Sequence, residues 1–193
     1  MAIETEIKLA RPARSALDAY AGAAGREIHL ANVHYDTSDL ALARAKSAVR
    51  LAPQSWLPQK TFKTVDSAEQ GLHMRHEWEL PLAGDALEID ALLTACDVPA
   101  SAAVALFRTD FARTLWRIVR DGSTVEAGLD LGENIAEMDG ETRRTPIREI
   151  ELELIDGDEA VLHTLVNELK AALQGLAPDD QSKAQRGYRL SAA

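Results

Sequence analysis

"IETEIKL", residues 3–9, alternates without a break: Ile3, Thr5, Ile7 and Leu9 fall on one side, Glu4, Glu6 and Lys8 on the other. A period of two predicts a β-strand with one apolar face and one face that gathers two carboxylates and an ammonium. The pattern recurs far along the chain. In "REIELEL", 148–154, Glu149, Glu151 and Glu153 oppose Ile150, Leu152 and Leu154. In "LHMRHEWEL", 72–80, His73, Arg75, Glu77 and Glu79 oppose Leu72, Met74, Trp78 and Leu80. Glu126 and Asp130 share a face with Gly128 between them, and Arg113 and Arg117 share a parity.

An antiparallel sheet with one wet face would explain each strand alone, with salt-bridge ladders across it. A closed barrel would instead put the charged faces inside and the apolar faces outside under helices. Three carboxylates in a row repel each other, as do Glu4 and Glu6. Bound cations would relieve that repulsion, and hard oxygen ligands favour Mg²⁺ or Mn²⁺.

The rest of the chain supplies partners for such strands. Residues 11–25 predict a short helix, with Pro12 in its first turn, Ala13, Leu17 and Tyr20 as a stripe, and Gly25 near its end. Extended segments are expected at about 27–36, 47–52, 59–64 and 72–80, separated by turn-prone stretches. Residues 86–95 read as a short helix, and 96–107 are ambiguous, alanine-rich but opened by "DVPAS". Strands follow in "TDFARTLWRIVRD", "STVEAGLDL" and "IREIELELI", the first two joined at Asp121-Gly122. A helix starts after Asp156, with Glu159 as a capping-box partner. Its stripe is Val161, Leu162, Leu165, Val166, Leu169 and Leu173, and Gly175 caps its end. About eight strands against two or three helices predict an α+β fold on an antiparallel sheet or barrel.

The chain has 193 residues, no internal repeat and no long linker, so residues 1–193 are expected to form one domain. A net charge of −10 argues against a broad nucleic-acid footprint, though a concave site can still concentrate positive charge for a small anion. No apolar run approaches the roughly 18 residues of a membrane span, and "MAIETEIKLA" has no secretory pattern. Cys96 is the only cysteine, which excludes an internal disulfide and a cysteine-rich zinc site. These features together predict a cytoplasmic protein without a membrane partner. His29, His34, His73, His76 and His163 lack zinc-protease spacing, and no G-x-x-x-x-G-K-[ST] loop occurs. Cys96 and the three tryptophans are read as packing residues.

The Glu4-x-Glu6-x-Lys8 pattern resembles the signature of the CYTH superfamily, the triphosphate tunnel metalloenzymes. The resemblance extends along nearly the whole chain. "HYDTSDLALARAKSAVRL" is similar to a tyrosine-aspartate-threonine segment that leads to a strand arginine, here Arg50, and "TFK" places Lys63 on the next strand. Further matches are Arg75 and Glu77, Arg113 in "TDFARTLW", Glu126 and Asp130, Glu149 and Glu151, and Lys183 and Arg186 in "SKAQRGYRL". The "TDFARTLW" and "SKAQRGY" segments look closest to the bacterial inorganic triphosphatase branch, whose members often carry a helical CHAD domain after the CYTH domain. Where the family usually has a second arginine two residues after the first, this chain has Ala52, so one phosphate contact is missing or is supplied by Lys60 or Lys46.

The resemblance implies an eight-stranded antiparallel barrel with an open tunnel, flanking helices, and hydrolysis of a linear triphosphate, most simply inorganic tripolyphosphate. Thiamine triphosphate hydrolysis, a class IV adenylyl cyclase activity and a non-catalytic polyphosphate- or nucleotide-binding role are the alternatives. It also implies roles. Glu4, Glu6, Glu149 and Glu151 would hold Mg²⁺ or Mn²⁺. Glu77, Glu126 and Asp130 would support a second metal or pair with tunnel arginines. Lys8, Arg50, Lys63, Arg75, Arg113, Lys183 and Arg186 would contact the small anionic triphosphate substrate. Lys8, Glu77 and Asp130 are the candidates closest to the chemistry. Lys183 and Arg186, three apart, fit one face of a C-terminal helix that closes the tunnel.

Overall fold

Strand pairing runs in a ring. The computed structural model describes residues 2–10, 17–18, 21–52, 59–64, 67–69, 72–81, 103–173 and 175–192. Its strands are β1 (Ala2–Ala10), β2 (Arg26–Thr37), β3 (Ser47–Ala52), β4 (Gln59–Thr64), β5 (Ser67–Glu69), β6 (Leu72–Pro81), β7 (Ala103–Arg120), β8 (Ser123–Met138), β9 (Glu141–Asp156) and β10 (Ala177–Pro178). Three helices are labelled α1 (Ala41–Arg44), α2 (Ala160–Ala172) and α3 (Lys183–Ala192). The order β1-β9-β8-β7-β2-β3-β4-β6 returns to its start because β6 also pairs with β1. Eight antiparallel strands therefore close on themselves, which removes exposed sheet edges. β5 and β10 are short additions to β6 and β1.

The bounds expected for β3 and β4 hold, and β2 and β6 extend theirs by only a residue or two. The three long strands differ more. β7 reaches back to Ala103, which makes the end of the ambiguous 96–107 stretch a strand, and β8 and β9 run on to a second hairpin at Asp139-Gly140. Both hairpins have positive φ at their two central residues: 49° and 75° at Asp121-Gly122, 53° and 79° at Asp139-Gly140. That is the type I′ geometry whose twist matches paired strands, and it favours Asp-Gly. The extension is polar and is held by cross-strand pairs, Arg144 to Glu133 at 2.7 Å and Thr142 to Glu137 at 2.8 Å. The helices expected at 11–25 and 86–95 fall largely or wholly outside the described residues, as do residues 96–102 with Cys96.

The main core lies on the apolar side of the alternation. Ile7 and Leu9 of β1, Val125, Ala127 and Leu129 of β8, and Ile150 and Leu152 of β9 pack with Val161, Leu162, Leu165, Val166 and Leu169 of α2. Leu17 and Trp116 complete it, and Leu173 packs partly buried against it. Burying each large aliphatic side chain here contributes about 1.5–3 kcal/mol. The expected capping box does not form. Glu159 stands at the N-cap without a side-chain bond, and Asp158 Oδ1 instead accepts the Ala160 N–H at 2.9 Å. A shorter side chain just before the helix reaches the free N–H groups more directly.

Candidate active site

The other side of the alternation is also buried, and it is charged. Glu6 and Lys8 on β1, Asp130 on β8, and Glu149 and Glu151 on β9 all have little or no solvent exposure. Register brings them together: Lys8 lies opposite Glu151, Asp130 opposite Glu149, and Arg113 of β7 opposite Asp130. Arg113 grips Asp130 through two bonds of 2.7 Å, Nε to Oδ1 and Nη2 to Oδ2, and also donates to Glu151 Oε2. It reaches from β7 to β9 across Gly128, the β8 residue opposite Glu151, where there is no side chain to block the guanidinium.

α3 contributes from the C-terminal side. Lys183 Nζ stands 2.6 Å from Asp130 Oδ2, 2.5 Å from Glu149 Oε1 and 2.8 Å from Glu151 Oε1. Arg186 bonds Glu149 Oε2 and reaches Asp179 at 2.8 Å. Lys8 bonds Glu151 Oε1 and lies 3.1 Å from Glu6. All six oxygens of Asp130, Glu149 and Glu151 are thus engaged by cations of the protein. Within this cluster, the carboxylates Glu6, Asp130, Glu149 and Glu151 meet the cations Lys8, Arg113, Lys183 and Arg186. The repulsion expected from the rows of acids is therefore compensated, and the net charge of −10 resides elsewhere.

The electrostatics follow from this interleaving. Burial alone would raise the Glu151 carboxyl, but Lys183, Lys8 and Arg113 outweigh it and hold the group well below the usual carboxylate range. Asp130 is held low in the same way by Lys183 and Arg113 against its burial. Burial works against the Lys183 and Arg113 charges, yet the facing carboxylates leave both shifted upward. Phe111 backs the cations, with its ring centre 5.2 Å from Lys183 Nζ and 5.7 Å from Arg113 Cζ.

Asp130, Glu149 and Glu151 each offer an oxygen within 4.8 Å of the others. Three hard anionic oxygens converging in this way fit a hard divalent cation. The other expected residues occupy further positions in the ring of strands. Glu4 is half-buried and pairs in register with Arg75 of β6. For Lys63, Arg75 and Glu77 the backbone is placed: Lys63 lies opposite both Ala48 and Glu77, and Glu77 opposite Ala2. Arg50 lies opposite His34 and Thr61. Glu126 pairs with Arg117 and Glu153, four residues along β8 from Asp130 and outside the acid triad. Of the two lysines considered beside Ala52, Lys60 pairs with Leu51, one position off the Arg50–Thr61 pair. Lys46 is exposed in the turn after α1.

Three residues do more than the sequence alone indicates. The Asp36 carboxylate is fully buried and accepts the N–H groups of Thr37, Leu42 and Ala43 at 2.7–2.9 Å, fixing α1 between β2 and the strand that bears Arg50. Its place in "HYDT" marked it, but its role as a helix cap needed the fold. His34 is buried and stacked on Phe107, with ring centres 4.4 Å apart. Its strand parity with Asn32 was the available signal. His73, also buried, lies with Nε2 3.0 Å from the Asp179 carbonyl oxygen.

Comparison with known proteins converges on one family. Residues 2–188 match the model of the CYTH domain. The chain is 34% identical over 169 residues to an inorganic triphosphatase of Haemophilus influenzae, covering 86% of this chain and 47% of that protein. It therefore spans about half the length of that relative. Among solved structures, HpAC1 from Hippeastrum, a candidate adenylyl cyclase with a dominant triphosphatase activity, superposes with a TM-score of 0.68 at 20% identity. The match covers 96% of this chain and 95% of that one. A candidate adenylate cyclase from Bacillus halodurans superposes with a TM-score of 0.57 at 18% identity, covering 96% and 98%. At these identities the two structures speak for the fold.

Proposed function

The chain belongs to the CYTH domain family, and from that premise we propose that its barrel binds a linear triphosphate with Mg²⁺ or Mn²⁺ and hydrolyses it, inorganic tripolyphosphate being the first substrate to test. The observation that carries this reading is the buried cluster of four carboxylates and four cations. Buried ion pairs are often no better for stability than apolar side chains of similar volume, so their presence asks for another use. A triphosphate supplies several anionic oxygens for the cations, and a divalent metal suits the acids.

In this reading Arg113, Arg186, Arg50 and Arg75 grip phosphate oxygens through planar forks, and Lys8, Lys63 and Lys183 act as point charges. Asp130, Glu149 and Glu151 hold the metal, with Glu4 and Glu6 alongside on β1. Bound metal supplies charge neutralisation on the phosphate chain and a more acidic water for in-line attack. A carboxylate held as low as Asp130 is a poor proton acceptor near neutral pH, so its role is to orient and ligate. Glu77 remains the candidate to assist the water, and Glu126 belongs to the surroundings of the site.

Ala52 favours attention to a second reading. With one arginine fewer than the family pattern, the tunnel would suit a different triphosphate, such as thiamine triphosphate or ATP, or binding without turnover. A panel of tripolyphosphate, thiamine triphosphate and ATP with Mg²⁺ and with Mn²⁺ decides, read by phosphate release and cyclic AMP. Metal-dependent phosphate release fastest from tripolyphosphate supports the proposal. Tight calorimetric binding with no turnover of any substrate sinks the enzyme reading.

A further inference from the structure

The Lys183 ammonium fills the space that Asp130, Glu149 and Glu151 enclose, 2.5–2.8 Å from an oxygen of each. No oxygen of the triad is left without a protein cation, so an incoming divalent ion has to displace one. Two of the cations, Lys183 and Arg186, stand on a separate helix, and Lys183 is the candidate for displacement because it touches all three acids while Arg186 touches Glu149 alone of the triad. α3 rests on the barrel through a close approach of Gly187 to Phe107, where a Cβ would overlap the ring. It is further held by the Arg186–Asp179 pair and by Arg143 donating to the Leu190 carbonyl oxygen at 3.4 Å. Lys8 and Arg113, by contrast, are fixed within the strands of the barrel wall.

We propose that Lys183 is a built-in counter-cation that competes with the divalent metal for Asp130, Glu149 and Glu151, and that a linear triphosphate tightens metal binding by drawing Lys183 onto phosphate oxygens. The second half rests on the function proposed above; the competition itself does not. An ammonium and a divalent cation a few ångströms apart repel strongly in a site shielded from water, so the triad accommodates one at a time. A phosphate oxygen gives the lysine an anionic partner outside the triad and frees the acids. The coupling is reciprocal: the factor by which triphosphate strengthens the metal is the factor by which metal strengthens triphosphate.

The test measures Mn²⁺ binding to the full chain by electron paramagnetic resonance, with and without the non-hydrolysable imidotriphosphate. Wild type is expected to bind Mn²⁺ weakly alone and about tenfold tighter with imidotriphosphate. Lys183→Gln should bind Mn²⁺ alone about tenfold tighter than wild type and lose most of the coupling, whereas Lys183→Arg, which keeps the charge, should remain weak. Gly187→Ala, which pushes α3 off Phe107, should shift free-protein affinity in the same direction as Lys183→Gln. Equal Mn²⁺ affinity in wild type, Lys183→Gln and Gly187→Ala overturns the proposal. Hydrogen exchange on wild type gives an arm that needs no variant: saturating Mn²⁺ alone should speed exchange of α3 amides, and unchanged protection speaks against displacement. None of these measurements needs turnover, so a protein that hydrolyses nothing would sink the enzyme reading and leave this one to be judged separately.

Discussion

Ile150 and Leu152 are buried on one side of β9, Glu149 and Glu151 on the other. The outer pair packs on α2 by contact that needs only shape and apolar area. The inner pair is held by four named cations at set distances. Both sides are largely buried, but they do different work. Burial on the outer face holds the barrel together, while the charges on the inner face are specific, expensive to desolvate and poorly explained by stability. The barrel thus reverses the usual soluble arrangement, with the oily side outside under a helix and the polar side within.

Breaking the outer face should have the largest effect on stability. Leu152→Ala leaves a cavity between β9 and α2 and is expected to cost about 2–5 kcal/mol, read from the urea midpoint. Mn²⁺ affinity of the protein still folded should stay at the wild-type value. Altered metal affinity would mean the two faces are coupled. The inner face should answer the other way. Glu151→Gln is expected to lower triphosphate turnover on the order of 100-fold. Its loss of stability should be smaller than that of Leu152→Ala, because glutamine keeps an acceptor for Lys8 while Asp130 and Glu149 still hold Lys183. Full turnover in Glu151→Gln would remove the acid triad from the proposed chemistry.

A subtler contrast lies within the inner face, between its charged cluster and neutral His34. Burial, helped by Arg50 and Lys183, pushes the His34 imidazole down to about 3. The unfolded chain takes up that proton near 6.5, so the contribution is complete above 6.5 and shrinks as pH falls toward 3. At pH 5 the loss reaches about 2 kcal/mol at most. His34→Phe should flatten the stability profile between pH 7 and 5, measured by urea midpoints at both values. An unchanged slope would assign that acid sensitivity to other groups.

Much of this plan was legible in the alternation. "IETEIKL" and "REIELEL" fixed which side chains share a face, and closure of the ring then made one face an interior. The limits of β8 and β9 were not legible, because past Leu131 the apolar rhythm gives way to polar residues. A second Asp-Gly at 139–140 was the remaining signal. Parity also says which side a charge lies on and not which partner it meets. That Arg113 crosses Gly128 to reach Glu151, two strands away, depends on sheet order and register. For the same reason the expected repulsion among acids became, in three dimensions, an alternation of acids and bases.

The two Asp-Gly hairpins also bear on how the barrel is made. β7, β8 and β9 find each other through two-residue turns, so their loops close quickly and at small entropic cost. β1 joins the ring by meeting β6 and β9, both distant in sequence, and its Lys8–Glu151 contact spans 143 positions of chain. Local contacts form early and distant ones late, so the transition state for folding is expected to contain the three-stranded meander with β1 still unattached. Mutational φ-values should then be high along β7–β9 and near zero at Ile7 and Leu9. The strand nearest the N-terminus, with its glutamates and lysine, is then expected to be a late stave set into the barrel.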